Sequence, residues 1–413
     1  MNRRLFLRTA SAASGAAFLS ARSYSQVLGA NDQIRVGFIG LGGRAKWLLG
    51  YKMPGTEIVA AADCFLPRCY EAVKVRPDAE KWAKYQDYRR MFDREKLDAV
   101  FVETTTHARV LIAMHALERG LDVYAEKPLT LTVEEGRILA NAVKRHGRVL
   151  QTGTQQRSMP YNMFASKLVR DGAIGKVHTV VVCNFEPGKT WTPRPAQPMP
   201  DGLDWDQWCN QTELRPYHRD LQFNWGVWWD YDGGGQSWGV SGWGTHSLDQ
   251  VQAALGTDHT GPVEMWPEEP GEQGRVTLRY ASGTLLKLEG PHRDHSDLGA
   301  IFKGDNGEIE IKRGIAIGNR PELFKDAPDP TVEGFGEDFY HLNNFFACMR
   351  SRKTPNAPAE TGHRSTTLCH LVNITRQVGR RLRWDPAEER FIDDPQANKL
   401  LSRPRRKGYE LPA

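Results

Sequence analysis

The chain reads as an α/β protein of two domains: a doubly wound parallel sheet of the Rossmann type, then an α+β domain with an open, mostly antiparallel sheet. Three observations predict this. Short apolar runs alternate with helical segments across residues 31–155. A glycine turn, Gly40-Leu41-Gly42-Gly43-Arg44-Ala45, joins the first run to the first helix. Beyond residue 156 the spacing changes to period-two runs separated by turn residues.

Within the first unit, Ile34-Arg35-Val36-Gly37-Phe38-Ile39 predicts a buried strand and residues 46–51 a helix. Residues 57–63 form a second strand ending in an acid, and residues 97–103 a third. Residues 108–119 have helical period, and Leu121-Asp122-Val123-Tyr124-Ala125 is a further strand. Residues 133–146 form a helix that Thr132 can cap, with Glu135 completing a capping box. Residues 148–153 are one more strand. Strands that alternate with helices are covered on both faces, which calls for a parallel sheet.

The second unit spans residues 156–380. Residues 177–185 read as a strand. Residues 186–235 are rich in Pro, Gly and Trp and lack periodicity, the texture of a functional insertion. Alternating runs within residues 275–312, separated by Ala281-Ser282-Gly283 and Asp305-Asn306-Gly307, predict antiparallel strands. Residues 335–350 and 362–380 read as helices that pack back on the first domain. Residues 381–413 read as a tail, either solvated or in contact with a second subunit.

The 413 residues suffice for two cores, and 40% hydrophobic with 25% charged residues is ordinary globular composition. The net charge of +5 is inflated by arginines at both ends, and no aromatic residues interleave the basic tail, so no nucleic-acid partner is expected. The six cysteines form no CxxC pair and match no zinc spacing. They read as small buried apolar side chains, with one disulfide left open, and no metal is expected. Asn2-Arg3-Arg4-Leu5-Phe6-Leu7-Arg8 and the mild Ala/Ser-rich stretch after it resemble a twin-arginine export signal over residues 1–30. A periplasmic or otherwise exported location is therefore expected, with no integral membrane segment in the mature chain.

The glycine turn fits GxGxxA. Gly40 allows the tight turn, Gly42 (with Gly43) lets backbone approach a pyrophosphate, and Ala45 allows close helix–sheet contact. Asp63, about twenty residues on, can accept hydrogen bonds from ribose hydroxyls, which favours NAD. Arg44 offers the alternative, a contact to the 2′-phosphate of NADP. Glu126-Lys127-Pro128 closes a strand about eighty residues after the turn. Its ammonium can stand beside a nicotinamide and stabilise a developing alkoxide.

On these motifs the chain resembles the Gfo/Idh/MocA oxidoreductases over residues 33–380. The resemblance extends to Asp98-Ala99-Val100-Phe101-Val102 with Thr104-Thr105-Thr106-His107, to Ala125-Glu126-Lys127-Pro128-Leu129, and to Gln151-Thr152-Gly153-Thr154-Gln155. It continues through Gly242-Trp243-Gly244-Thr245-His246-Ser247-Leu248-Asp249. It implies that Lys127 lies by the nicotinamide and substrate hydroxyl, that Glu126 orients it or touches cofactor, and that Pro128 sets an unusual backbone. His246 would be the catalytic base. Thr104 and His107 would sit at the cofactor edge, although His107 can equally cap the next helix. The family's open sheet also implies a homo-oligomer, dimer or tetramer. Members often carry Asp four residues before the histidine, whereas this chain has Gly242.

Remaining candidates are Gln155 and Arg157 at a strand exit, Asp249 on the His246 helix, and Tyr217, His218 and Trp243 in the aromatic region. Eight tryptophans fall between residues 191 and 243. Their indole faces suit a sugar ring, or alternatively fill a core or interface. Three activities follow. The first is an NAD-dependent oxidoreductase acting on a sugar or polyol, with tightly held cofactor. The second, implied by NAD-dependent α-N-acetylgalactosaminidase relatives, is redox-neutral glycoside hydrolysis. The third is a non-catalytic sugar-binding scaffold.

Overall fold

The computed structural model describes residues 33–234, 238–289, 299–329 and 337–412. The export signal therefore lies outside the described residues. The first sheet has six parallel strands: β1 (Ile34–Ile39), β2 (Thr56–Ala62), β3 (Ala83–Tyr85), β4 (Ala99–Val102), β5 (Asp122–Ala125) and β6 (Leu150–Thr152). Their order is β3-β2-β1-β4-β5-β6. The strands read as unbroken apolar runs because helices cover both faces. These are α1 (Gly43–Leu49), α2 (Pro67–Glu71), α3 (Tyr88–Arg94), α4 (Thr106–Glu118) and α5 (Val133–His146). The capping box forms as read: the Thr132 hydroxyl accepts from Glu135 N–H, and Glu135 accepts from Thr132 N–H at 3.3 Å.

The second domain carries a nine-stranded sheet. β7 (Val177–Val182) lies between β10 (Leu285–Leu288), its one parallel neighbour, and antiparallel β11 (Ala300–Gly304). The order β13-β12-β11-β7-β10-β9-β8-β14-β15 adds β8 (Pro262–Pro267), β9 (Val276–Tyr280), β12 (Gly307–Ile311), β13 (Ala316–Gly318), β14 (Leu382–Asp385) and β15 (Arg390–Phe391). Its helices are α6 (Pro160–Arg170), α7 (Trp205–Cys209), α8 (Arg219–Phe223), α9 (Trp243–Leu255), α10 (Glu337–Ser351), α11 (Ala359–Val378) and α12 (Pro395–Asn398). One core joins the inner sheet face to α6, α9 and α11.

One expectation changes here and another is narrowed. Residues 381–412 are no free tail: β14 and β15 extend the sheet, Trp384 and Phe391 are buried, Arg405 pairs with Glu135 of the first domain, and Arg403 and Arg406 bond the insertion. In the insertion, of the two roles left open for the indoles, most fill a core. Trp191, Trp205, Trp208, Tyr217, Trp228 and Tyr231 pack into a small core of their own, with Trp205 and Trp208 stacked at 4.4 Å. All six cysteines are unpaired. Among the described residues no helix is long and apolar enough to cross a membrane.

Candidate active site

The glycine turn leaves β1 through Gly40 at φ +85°, where an added Cβ would lie 2.9 Å from the Glu103 backbone carbonyl. Only glycine accepts both constraints. At Gly42 and Gly43 an added Cβ meets nothing within 4 Å, so the turn presents bare backbone to open space at the start of α1. Ala45 is fully buried beneath it. The space is a cleft of about 330 Å³ whose walls include Gly40, Gly42, Arg44, Asp63 and Thr104. That is within the usual size of ligand sites.

Asp63 terminates β2 in this cleft. Its Oδ2 accepts Leu41 N–H at 2.7 Å, while Oδ1 accepts Phe65 N–H at 2.8 Å and the Cys64 thiol at 3.8 Å, so Oδ2 keeps the lone pair for a ribose hydroxyl. Burial raises its pKa, opposed by the Arg68 guanidinium 3.8 Å away and by the two N–H donors. A dinucleotide fits this set: a backbone cradle at a helix N-terminus and an acid at the second strand's end.

Arg44 is not available for a 2′-phosphate. Its Nε donates to Glu126 Oε1 at 2.6 Å and its Nη2 to Asp338 Oδ1 on α10 at 2.5 Å. Glu126 Oε1 also accepts from Gln155 Nε2 at 3.1 Å. Arg44 thus ties Glu126 to α10, Gln155 just past β6 holds the same carboxylate, and an added Cβ on Gly153 would press within 2.6 Å of it. Its other oxygen accepts Lys127 N–H at 3.0 Å, which fixes the lysine backbone. The Lys127–Pro128 peptide is cis. The buried Arg109 guanidinium holds the same corner by donating to the Pro128 and Thr104 carbonyls.

Lys127 Nζ donates to the Gly242 carbonyl at 3.3 Å. Burial lowers the ammonium's pKa, while Glu126 and Asp232 act to raise it. Gly242 is the N-cap of α9, and His246 lies one turn along the helix. His246 is 4% exposed, and its Nδ1 has no hydrogen-bond partner among the described residues. Burial, then the charges of Lys127, Arg313 and Arg44, hold the imidazole well below its ordinary pKa. The arrangement therefore combines a hydrogen-bond donor of reduced basicity with a neutral base.

Other predicted residues have different work. His107 is fully buried behind the cleft. Its Nε2 bonds the Trp208 carbonyl at 2.7 Å and its ring packs 4.9 Å from Tyr231, so it ties the insertion to α4 and is not among the residues that line the cleft. Arg157 and Asp249 satisfy each other at 2.8 Å. Asp258 completes the arginine's coordination at 2.7 Å, and Ser365 donates to Asp249 at 2.6 Å. Both side chains are buried and spent on these pairings. Tyr217 donates to Gln222 inside the aromatic core, and His218 caps α8 by accepting Asp220 N–H. Trp243 packs on Trp238 at 4.2 Å at the start of α9.

Sequence reasoning missed Asp232, a buried carboxylate from the insertion. It accepts from Thr106 at 2.5 Å and from Ser241, and its charge acts on Lys127. It also missed Asp338 and the cleft wall Tyr409, while Trp208 and Trp225, two of the eight tryptophans, do line the cleft. No spacing motif announces residues brought together from such distant parts of the chain.

The fold and this arrangement define a dinucleotide-binding α/β protein of the oxidoreductase class. Residues 34–154 match the family model described as oxidoreductase family, NAD-binding Rossmann fold. Residues 163–411 match the model for the C-terminal alpha/beta domain of the same family. The chain belongs to the Gfo/Idh/MocA oxidoreductase family, with an NAD-binding first domain. The scyllo-inositol 2-dehydrogenase (NAD(+)) of Bacillus subtilis is 31% identical over 152 residues, 35% of this chain and 42% of that protein. A glycosyl hydrolase family 109 protein of Bacteroides fragilis is 31% identical over 122 residues, 28% of this chain and 26% of that protein. The chain thus spans less than half the length of these curated relatives. The aldose-aldose oxidoreductase of Caulobacter crescentus shares the fold, with TM-score 0.60 and 18% identity over 85% of this chain and 99% of that one.

Proposed function

We propose that the protein is an exported NAD-dependent oxidoreductase that transfers hydride from a carbinol carbon of a sugar or polyol and keeps its cofactor through turnover. The observation that carries this reading is the desolvated Lys127 ammonium at the end of β5, set against the neutral His246 imidazole across Gly242. Bound nicotinamide supplies the hydride acceptor. His246 takes the hydroxyl proton, which a neutral ring of depressed pKa accepts and returns in the reverse direction. Lys127 donates a hydrogen bond to the same oxygen as its negative charge grows. Glu126, pinned by Arg44 and Gln155, holds the lysine backbone. Twin-arginine export and assembly into a dimer or tetramer through the open sheet belong to the same reading. Their support is the basic N-terminal motif and the family's use of that sheet.

Redox-neutral glycoside hydrolysis is the second reading. Its specific support is Gly242, which leaves no side chain where a proton-relaying Asp stands in many members, and the likeness to a family 109 hydrolase. Oxidation at one sugar carbon acidifies the neighbouring C–H, the aglycone leaves by elimination, water adds, and reduction restores the carbon. Purified protein is denatured, released dinucleotide identified, and intact protein mixed with aldoses, inositols and nitrophenyl glycosides. Net reduced nicotinamide with free sugars supports the oxidoreductase. Aglycone release without net reduction supports the hydrolase. Absence of both, with no dinucleotide bound at millimolar supply, refutes the two together.

A further inference from the structure

The cleft has a wall that neither the glycine turn nor the Lys127–His246 pair accounts for. It lies beside Asp63 and is built by Trp208 and Trp225 of the insertion and Tyr409 near the C-terminus. Residues 403–409 are held there by anchors on both other parts of the molecule. Arg403 donates to the Trp229 carbonyl at 2.7 Å and lies 4.5 Å over that ring. Arg405 pairs with Glu135 on α5 at 2.5 Å. Arg406 N–H donates to the Gln211 carbonyl at 3.0 Å, and its guanidinium bonds Asp206 and the Asn210 carbonyl. The Tyr409 hydroxyl donates to Asp206 Oδ2 at 2.5 Å, while Arg406 lies 4.5 Å over the Tyr409 ring. Tyr409 itself is 7% exposed.

This wall shares the cleft with Asp63, and Lys127 is not among the residues that line it. It contributes flat apolar rings where a planar base must sit, since Asp63 takes the adjoining ribose. We propose that residues 403–409 and the aromatic insertion form a clasp that closes over the adenosine half of the dinucleotide and makes its release slow. The inference rests on the NAD-dependent reading and deepens it: the cofactor is retained by the clasp, and substrate enters from the Lys127 side. Release then requires Tyr409 to swing away, breaking its bond to Asp206.

The test uses full-length protein carrying its cofactor. Bound NAD is chased with deuterated NAD, and the exchanged fraction is read by mass spectrometry over time. Wild type is expected to exchange over many minutes to hours. Tyr409→Ala removes the ring and is expected to exchange faster by on the order of tenfold or more, because affinity changes at one interface appear chiefly in dissociation. Tyr409→Phe keeps the ring and loses the hydroxyl bond, which predicts roughly threefold faster exchange. This milder variant decides the matter if Tyr409→Ala does not fold. Wild-type rates in the folded variants, or exchange within seconds in wild type, overturn the clasp and leave the NAD reading standing. Failure to bind NAD at all removes both.

Discussion

Replacing Lys127 with methionine separates catalysis from stability. The ammonium donates to one carbonyl, Gly242, at 3.3 Å, and its burial lowers its own pKa. Removing it costs that carbonyl one partner, about 1 kcal/mol. It also relieves the burial of a cation, a penalty of comparable or greater size. The backbone is held independently through Lys127 N–H to Glu126. Lys127→Met is therefore expected to unfold within a few degrees of wild type, or above it, and to purify with the same dinucleotide content. Turnover should fall much further, because deleting one donor to a developing oxyanion lowers kcat by about 10²–10³. The assay is reduced nicotinamide, or released aglycone, with the best substrate of the sugar and glycoside panel, alongside calorimetric melting. A loss below about tenfold refutes the role given to the ammonium by that same argument. So does a large drop in melting temperature that accounts for the lost activity.

Three further outcomes are expected. Burial and Lys127 depress the His246 pKa, so the base stays neutral as pH falls and the acid limb of kcat/KM should lie well below 6.5; a limb near 6.5 would contradict the burial described. His107 is held at about 4, so between pH 6.5 and 4 the unfolded chain binds a proton that the folded chain refuses, and stability falls with pH. Urea titrations of wild type and His107→Gln at pH 7 and 4 should show their difference shrinking by about 3 kcal/mol, and a constant difference rejects it. Gly42→Ala should melt like wild type yet bind NAD more weakly, since its Cβ enters the cradle. Gly40→Ala, at φ +85° and against Glu103, should lose about 2 kcal/mol, and the reverse ranking in melts and NAD titrations would dispose of the cradle.

The first domain was legible because its signals are local. The apolar run Ile34–Ile39, the glycine turn and the Thr132/Glu135 box each declare an element without reference to the rest of the chain. Ala83–Tyr85 was missed because three half-buried residues carry no period. α9 declared itself only through the His246 motif: nearly every residue in it is buried, so no polar face marks its length. β14 was read as tail because Arg383 between Leu382 and Trp384 looks like a charged end until β8 pairs with it. At the site, Lys127 and His246 stood out by motif. Arg157 and Asp249 carried weaker signals, and only the fold shows that they are spent on each other at 2.8 Å. The role of the tryptophans stayed open because indoles line sugars and cores alike, and composition does not separate the two.

The helix Glu337–Ser351 belongs by chain order to the second half, yet Phe345, Phe346 and Met349 sit in one cluster with Phe38 and Phe101 of the first sheet. A protein cut near residue 155 would leave those rings facing water. The two halves are therefore not interchangeable modules. Chimeras that graft this nucleotide-binding half onto another partner must carry residues 337–351 with it. Synthesis on the ribosome, too, must run past residue 351 before the first sheet is fully covered.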